Sequence, residues 1–290
     1  MMFGSHDPET ADRARRQRKK LHRIPLLGRF VPAEEKRANA AFAEKQRFVK
    51  AYIDSELAPH LVGCEPFTSP TILHGFFKGL KFGDPENLQA GIAQKIFGVY
   101  EVELTDQLET LSGTEYDFII NIGAAEGLYS LAFERMWPDA PIYSFEQDYE
   151  TRELLRQLCE MNRGRNVAVN DEFRLSSIKD INAAERGLVF CDCEGFEDEI
   201  FAPDNMGQFR SCDLVIETHD QHLPGVTERL MANLAGSHRP RIIDQIGLEQ
   251  RAERIKDPIF CANDLQTRLQ MLDESRHPKN QWVFAETGAT

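Results

Sequence analysis

The chain of 290 residues is 41% hydrophobic and 28% charged, a composition typical of a globular protein with one large or two small domains. Its formal net charge of −13 disfavours nucleic acid as the main partner, because phosphate binding needs a positive surface. No membrane span is expected, since no uncharged apolar run approaches the roughly 18 residues that a span needs. The six cysteines contain no C-x-x-C pair, which indicates reduced thiols in a cytoplasmic protein.

Residues 1–32 are predicted to form a basic arm, because the first thirty residues contain eight Lys or Arg and three acids. The arm is either simply solvated or makes weak contact with an anionic surface, such as lipid or an acidic partner. Residues 33–57 predict a helix with an apolar stripe. The predicted organisation is therefore the arm, a mainly helical N-terminal extension at 33–112 that covers the site, and a main domain at 113–290.

Short β-like runs alternate with helical patterns from about residue 112 onward. Val, Ile, Phe and Leu fill these runs almost continuously, as expected for strands buried on both faces of a parallel sheet. The predicted strands are 117–122, 141–146, 166–170, 187–193, 213–218, 239–246 and 281–286. The predicted helices are 127–137, 149–162, 176–185, 196–210 and 225–236, with a helical connection at 247–280. This order predicts an α/β fold with a doubly wound, mostly parallel sheet of seven strands and helices on both faces.

The turn after the first predicted strand has the sequence Asn-Ile-Gly-Ala-Ala-Glu-Gly, from Asn121 to Gly127. In an open α/β sheet ligands bind at the carboxyl ends of the strands, so this turn is the expected ligand site. A dinucleotide fingerprint needs the spacing G-x-G-x-x-G, whereas Gly123 and Gly127 are separated by three residues. No Lys-Ser or Lys-Thr follows, so a P-loop is excluded as well.

Later segments place acids and a histidine at the ends of predicted strands. Glu146 ends the second strand, where a carboxylate can accept hydrogen bonds from both hydroxyls of a ribose. Asp192 lies at the end of the fourth strand and Glu194 follows it, and Glu217 and His219 end the fifth. Asp192, Glu194 and His219 are therefore candidate catalytic bases, His219 because its unperturbed pKa lies near neutral pH.

These segments together resemble the FkbM family of class I methyltransferases, which use S-adenosyl-L-methionine and have a Rossmann-like fold. That family carries D-x-G-A-x-x-G-x-x-S/T, a strand ending in F-E, D-x-E-G-x-E and a strand ending in E. This chain has N-I-G-A-A-E-G-L-Y-S, S-F-E, C-D-C-E-G-F-E and V-I-E-T-H, and G-V-Y-E-V-E-L at 98–104 resembles the segment before the family's first strand. The likeness covers about residues 98–220. It departs at Asn121, where the family has an acid that helps to hold the ammonium group of the cofactor.

The resemblance implies S-adenosyl-L-methionine as the cofactor and O-methylation of a hydroxyl on a sugar, a glycan or a secondary metabolite. The cofactor-binding residues at these positions are Asn121, Gly123, Ala124, Ala125, Gly127, Tyr129, Glu146, Gln147, Asn170 and Asp192. The partner is then a small-molecule or glycan acceptor, with no nucleic acid.

No metal is expected, because carboxylates at strand ends are common without one. An alternative stays open in which Asp192, Glu217 and His219, together with Glu194, bind Mg²⁺ or Mn²⁺, which accept oxygen and imidazole ligands. The acids at 197–199 are interpreted as first-turn residues that complement a helix dipole.

Two other functions stay open besides methyl transfer. One is a nicotinamide-dependent oxidoreductase, which the glycine spacing disfavours. The other is a non-catalytic Rossmann-like scaffold or binding module that has lost turnover. Asn121 keeps the second interpretation open, because an amide can form hydrogen bonds but cannot neutralise an ammonium group.

Overall fold

The computed structural model describes residues 71–83, 85–88, 91–181, 185–273 and 280–288, together with Arg47 and Ala51. The predicted basic arm lies outside these residues, and so does the predicted helix at 33–57 apart from Arg47 and Ala51, which are helical. By its internal contacts the chain divides after Arg47, and every element below belongs to the second unit. The predicted boundaries at residues 32 and 112 stay predictions.

A seven-stranded sheet forms the centre of the described structure. Its strands are β1 (Phe118–Ile122), β2 (Ile142–Phe145), β3 (Val167–Asn170), β4 (Gly187–Cys191), β5 (Cys212–His219), β6 (His238–Ile243) and β7 (Asn280–Thr287). They lie in the order β3-β2-β1-β4-β5-β7-β6, and of these strands β7 alone runs antiparallel to both its neighbours. The order reverses between β1 and β4, and in open α/β sheets ligands bind beside the carboxyl ends of the strands at such a reversal.

Helices pack on both faces of this sheet. They are α1 (Ile92–Phe97), α2 (Val102–Thr110), α3 (Leu128–Met136), α4 (Tyr149–Asn162), α5 (Leu175–Asp180), α6 (Glu197–Ile200), α7 (Val226–Leu234), α8 (Leu248–Arg254), α9 (Pro258–Cys261) and α10 (Leu265–Leu272). Short 3₁₀ turns lie at Pro85–Leu88, Leu111–Gly113 and Pro203–Gln208. The fold is the predicted doubly wound, Rossmann-like sheet with an antiparallel strand near one end, and the predicted fold class is confirmed.

Alternate residues of β1 lie in different hydrophobic clusters. Phe118 and Ile122 share a cluster with Leu230 of α7, whereas Ile119 shares another with Phe133 of α3. Both faces of the strand are therefore buried, which explains why the sequence of β1 is hydrophobic throughout rather than alternating with polar residues.

The single helix predicted at 196–210 is wrong. Helix α6 ends at Ile200, and the 3₁₀ turn Pro203–Gln208 follows it. Pro203 has no backbone N–H and cannot continue the hydrogen bonds of α6. The predicted helical connection at 247–280 contains, where it is described, three short helices, α8, α9 and α10, which non-helical residues separate.

The described residues before β1 pack directly on the sheet domain. Leu104 and Leu108 of α2 share a cluster with Ile119, and Phe97 of α1 shares one with Leu128 of α3. Within the part of the chain that is described, no helix is both long enough and apolar enough to cross a membrane.

Thiol labelling checks this packing. Burial raises the pKa of Cys159 and of Cys212 to about 12, whereas Cys261 is exposed. Since the thiolate is the reactive form, iodoacetamide at about pH 8 should modify Cys261 and leave Cys159 and Cys212 unmodified. Peptide mass spectrometry measures each site, and all three should react in urea. Equal rates at Cys212 and Cys261 in the folded protein would contradict the described packing.

Candidate active site

The turn between β1 and α3 contains three residues in the left-handed backbone region. The φ angles are 76° at Gly123, 46° at Ala125 and 94° at Gly127. A Cβ atom on Gly123 would lie 1.7 Å from the carbonyl oxygen of Asp192, and one on Gly127 would lie 2.9 Å from the Leu155 side chain. The glycines therefore allow the turn to approach the loop after β4 and helix α4.

Asn121, where the sequence departs from the FkbM pattern, lies beneath this turn and is 1% exposed. Its Nδ2 donates a hydrogen bond to Ser130 Oγ at 2.8 Å, and the hydroxyl oxygens of Ser130 and Ser144 lie 2.7 Å apart. Its Oδ1 is buried and accepts no hydrogen bond from the described residues. An ionised carboxylate could not donate to Ser130, so the amide suits this network and leaves Oδ1 for a further donor.

Glu146 contacts the turn directly. Its Oε2 accepts the Ala125 N–H at 3.0 Å, and its Oε1 accepts the Asp148 N–H at 2.8 Å. Parallel pairing of Ile122 with Phe145 aligns the carboxyl ends of β1 and β2, which brings the turn and the acid together. A carboxylate offers about four lone-pair sites, so partly exposed Glu146 keeps capacity for further donors.

The other predicted nucleoside-side residues lie along the same edge. Ala124 is buried in the turn, where its N–H donates to the Phe145 carbonyl at 2.9 Å. Gln147 follows β2 and is exposed. Asn170 ends β3, and its Nδ2 donates to the Ala168 carbonyl at 3.0 Å. These residues therefore lie at the carboxyl ends of β1, β2 and β3.

Tyr129 is partly buried and directs its hydroxyl towards a buried acid. Its ring centroid lies 4.4 Å from that of Phe190, and its hydroxyl donates to Glu101 Oε2 at 2.5 Å. Glu101 is 2% exposed and has a φ of 45°, at the N-terminus of α2. Glu101 lies in the segment G-V-Y-E-V-E-L, whose resemblance to the FkbM family is what could have indicated it. Glu101 is not among the site residues predicted from the sequence.

A buried ion pair holds the turn from the side of α1. Lys95 Nζ lies 2.5 Å from Glu126 Oε1, and both side chains are 5% exposed. The same nitrogen donates to the Leu88 carbonyl at 2.7 Å and lies 4.7 Å from the centre of the Tyr100 ring. The sequence pattern does not indicate this pair, because the two residues are 31 positions apart. Glu126 also lies in a turn, where a charged residue is normally expected to be exposed.

The three predicted catalytic side chains come together at the ends of β4 and β5. One ligand atom from each of Asp192, Glu194 and His219 lies within 4.8 Å of the other two. His219 Nε2 is 3.5 Å from Asp192 Oδ1 and 3.5 Å from Glu194 Oε2. Glu217 Oε2 lies 3.8 Å from the same nitrogen. The four residues that the sequence offered as candidate bases or alternative metal ligands thus surround one point.

Glu197 orients the ring of His219. Its Oε1 lies 2.8 Å from His219 Nδ1 and accepts the Gly195 N–H at 3.1 Å. Burial alone would raise the pKa of Glu197, but hydrogen bonds from His219 and from backbone N–H groups lower it below its ordinary value. Glu197 is 0% exposed, whereas Glu199 in the same short helix is exposed. Glu197 therefore holds the His219 ring in place. This role differs from the one predicted from the sequence, in which the acids at 197–199 only complement a helix dipole.

The electrostatics of this edge are dominated by acids. Burial lowers the pKa of His219, but the hydrogen bond with Glu197 and the charge of Glu217 outweigh it and raise this pKa above its ordinary value. Burial raises the pKa of Asp192 well above its ordinary value, and the charges of Glu217 and Glu101 raise it further. The edge therefore has a negative potential that suits a positively charged ligand.

Comparisons with known proteins give partial likenesses of fold. No protein-family model matches the chain, and no curated protein matches it. A putative O-methyltransferase from Klebsiella pneumoniae is 12% identical, with a TM-score of 0.47 over 71% of this chain and 91% of that one. The O-methyltransferase TomG from Streptomyces achromogenes, involved in tomaymycin synthesis and solved in complex with SAM, is 14% identical, with a TM-score of 0.45 over 70% and 89%. A precorrin-6y C5,15-methyltransferase from Geobacter metallireducens is 18% identical, with a TM-score of 0.40 over 49% and 73%. The residues of the site, rather than these likenesses, indicate the function.

Proposed function

We propose that this chain is an S-adenosyl-L-methionine-dependent methyltransferase that methylates a hydroxyl of a small-molecule or glycan acceptor. The observation that carries the proposal is the meeting of three features at one edge of the sheet. These are the left-handed turn at Gly123, the Glu146 carboxylate bonded to that turn, and the acidic cluster around His219.

The charge of this edge favours S-adenosylmethionine over a dinucleotide. The cofactor carries a positive sulfonium and a positive ammonium group, whereas a dinucleotide carries a pyrophosphate. The carboxylates that face the edge around the His219 imidazole are Glu101, Asp192, Glu194, Glu197 and Glu217. Two cations near the turn already have partners, since Lys95 is bonded to Glu126 and Arg152 donates to the carbonyls of Glu146 and Gln147. A pyrophosphate would be repelled here, and a sulfonium would be attracted.

The separate parts of the cofactor match the groups along the edge. Glu146 has the capacity to accept the ribose hydroxyls, and Gln147 and Asn170 would line the nucleoside side. Glu101, whose charge acts on this edge, would supply the negative charge that Asn121 cannot give to the ammonium group. This assignment of residues to the ribose, the nucleoside and the ammonium group supports binding of S-adenosylmethionine without an acid at position 121.

The catalytic task of the chain is to position the acceptor and to withdraw its proton. The bound cofactor supplies an electrophilic methyl group, which an acceptor oxygen must approach in line with the sulfur. Asp192, Glu194 and His219 lie at the adjoining strand ends, where they can hold the acceptor hydroxyl and take up its proton. We therefore assign these three residues to the acceptor side of the site.

Calorimetric titration with S-adenosylhomocysteine tests the proposal. The wild-type protein should bind it saturably and should not bind NAD. Glu146→Ala should weaken binding by about tenfold or more, because it removes a charged hydrogen-bond acceptor worth roughly 1.5–3 kcal/mol. Glu150→Ala, which removes an exposed acid from the first turn of α4, is the matched control and should bind like wild type.

Each other outcome has a definite meaning. Binding of NAD without binding of S-adenosylhomocysteine would contradict the proposal and support the oxidoreductase alternative. Equal affinity in Glu146→Ala would remove the ribose role of this residue. Tight cofactor binding without methyl transfer to a panel of sugar and phenolic hydroxyls would support the scaffold alternative.

A further inference from the structure

We propose that Asp192, Glu194 and His219 together bind one divalent cation, with Mn²⁺ as the best-matched ion. The catalytic role of the cation rests on the proposed methyl transfer, but its binding does not. The sequence by itself led to the expectation of no metal, and the geometry of the folded chain argues for one.

The distances between the three side chains suit a shared ion. Ligand atoms that each lie about 2.0–2.2 Å from one cation are roughly 3–4 Å from one another. His219 Nε2 is 3.5 Å from an oxygen of Asp192 and 3.5 Å from an oxygen of Glu194. The Glu194 side chain is 72% exposed, so it is free to close the remaining separation.

One buried oxygen at this point has no hydrogen-bond partner. Asp192 Oδ1 is buried and accepts no hydrogen bond within the described chain. His219 Nε2 lies 3.5 Å from this oxygen, and the His219 side chain is 2% exposed. Leaving a buried polar atom unpaired is unfavourable. A cation between the two atoms would satisfy the oxygen and would use the imidazole nitrogen as a second ligand.

Glu197 supports this role from behind the histidine. Its Oε1 lies 2.8 Å from His219 Nδ1, which directs Nε2 towards Asp192 and Glu194. Metal-binding histidines usually donate their other ring N–H to a carboxylate, a backbone carbonyl or a water, because this bond sets the tautomer and the ring orientation. Glu197 is 0% exposed and is held in turn by the Gly195 N–H.

The loop that carries Glu194 has a strained backbone. Glu194 has a φ of 55°, and Gly195 follows with a φ of 105°. This conformation is unfavourable for a non-glycine residue and is retained when the surroundings impose it. Here the conformation brings the Glu194 carboxylate to within 3.5 Å of two imidazoles, those of His219 and His222.

The chemistry of the ligands indicates the class of ion. Two carboxylates favour Mg²⁺ and Mn²⁺, while an imidazole favours transition metals, and Mn²⁺ satisfies both preferences. Within the described chain, Asp192, Glu194 and Glu197 form ion pairs only with histidines. Their negative charge is thus not neutralised by Lys or Arg. With these three side chains as its ligands, the cation would replace them in holding the acceptor hydroxyl. It would lower the pKa of that hydroxyl, so that no side-chain base at this point is needed.

Titration of chelator-treated protein with MnCl₂ alone, in the absence of cofactor, tests the site. Calorimetry should give one Mn²⁺ per chain, and Mn²⁺ should raise the melting temperature of the wild type. Asp192→Asn and His219→Ala should abolish both effects, and Glu194→Gln should weaken binding by about tenfold or more. Glu199→Gln, which removes an exposed acid from the same segment, should bind like wild type. Glu194→Gln alters an exposed side chain, so the test does not depend on whether the buried variants fold.

The outcomes separate the cation site from the methyltransferase proposal. No Mn²⁺ binding, or equal loss in Glu194→Gln and Glu199→Gln, would overturn the site and indicate only general attraction to surface acids. S-adenosylhomocysteine is titrated separately in the presence of EDTA. If it binds while Mn²⁺ does not, only the cation site fails. If Mn²⁺ binds while S-adenosylhomocysteine does not, only the proposed function fails.

Discussion

Replacing Lys95 by Met should lower the free energy of unfolding by about 3–5 kcal/mol, because the substitution leaves Glu126 as an uncompensated buried charge. Lys95 Nζ lies 2.5 Å from Glu126 Oε1, and both side chains are 5% exposed. Lys95→Met also removes the hydrogen bond to the Leu88 carbonyl. Urea unfolding followed by circular dichroism measures the change, with the slope used to confirm that the folded state remains compact.

A matched exposed pair provides the control for Lys95→Met. Arg254 Nη1 lies 2.6 Å from Asp106 Oδ2, and the two side chains are 44% and 45% exposed. Arg254→Met should therefore cost at most about 1 kcal/mol. The double variant Lys95→Met with Glu126→Gln should recover part of the lost stability, since the isolated charge is gone. Similar losses in Lys95→Met and Arg254→Met would show that the buried pair does not stabilise the turn.

Gly123→Ala should have the second large effect, and it should act on stability and ligand binding together. The left-handed backbone at φ 76° costs an alanine about 1–2 kcal/mol. The new Cβ would also lie 1.7 Å from the Asp192 carbonyl oxygen, so the loop after β4 must move. Because that loop carries Asp192 and Glu194, binding of S-adenosylhomocysteine and of Mn²⁺ should each weaken by about tenfold or more.

Gly236→Ala is the corresponding control for the glycine substitution. A Cβ atom at position 236 meets no atom within 4 Å. Its effect on unfolding should therefore stay within about 0.5 kcal/mol, the range of ordinary surface substitutions. Wild-type ligand binding by a folded Gly123→Ala protein would show that the turn and the Asp192 loop do not need their close approach.

The order of strands and helices could be predicted because it depends on local patterns. The runs at β1 and β4 are hydrophobic at every position, and each is buried at every position. Helix α4 is likewise preceded by Asp148, whose side chain caps it by accepting the Thr151 N–H at 2.9 Å. The helix predicted at 196–210 is interrupted before Pro203, a residue without a backbone N–H, and a 3₁₀ turn begins there.

The partners of individual side chains in the site could not be predicted from the sequence. Tyr129 bonds to Glu101, which is 28 positions away, and His219 contacts Glu197, which is 22 positions away. Glu197 occurs in the sequence as one of three consecutive acids and has no distinguishing mark. Its burial becomes visible only when α6 is placed against β5.

The sequence by itself determined the fold class, the position of the turn, and which acids and which histidine end the strands. These properties follow from hydrophobic periodicity and from residue types at strand ends, both of which are local. Only the tertiary structure decided that Asn121 is buried beneath the turn, that Lys95 neutralises Glu126, and that Glu197 turns Nε2 of His219 towards Asp192 and Glu194. The physical reason is that burial and ionic pairing depend on the neighbours that parallel strand pairing and helix packing bring together, whatever their separation along the chain.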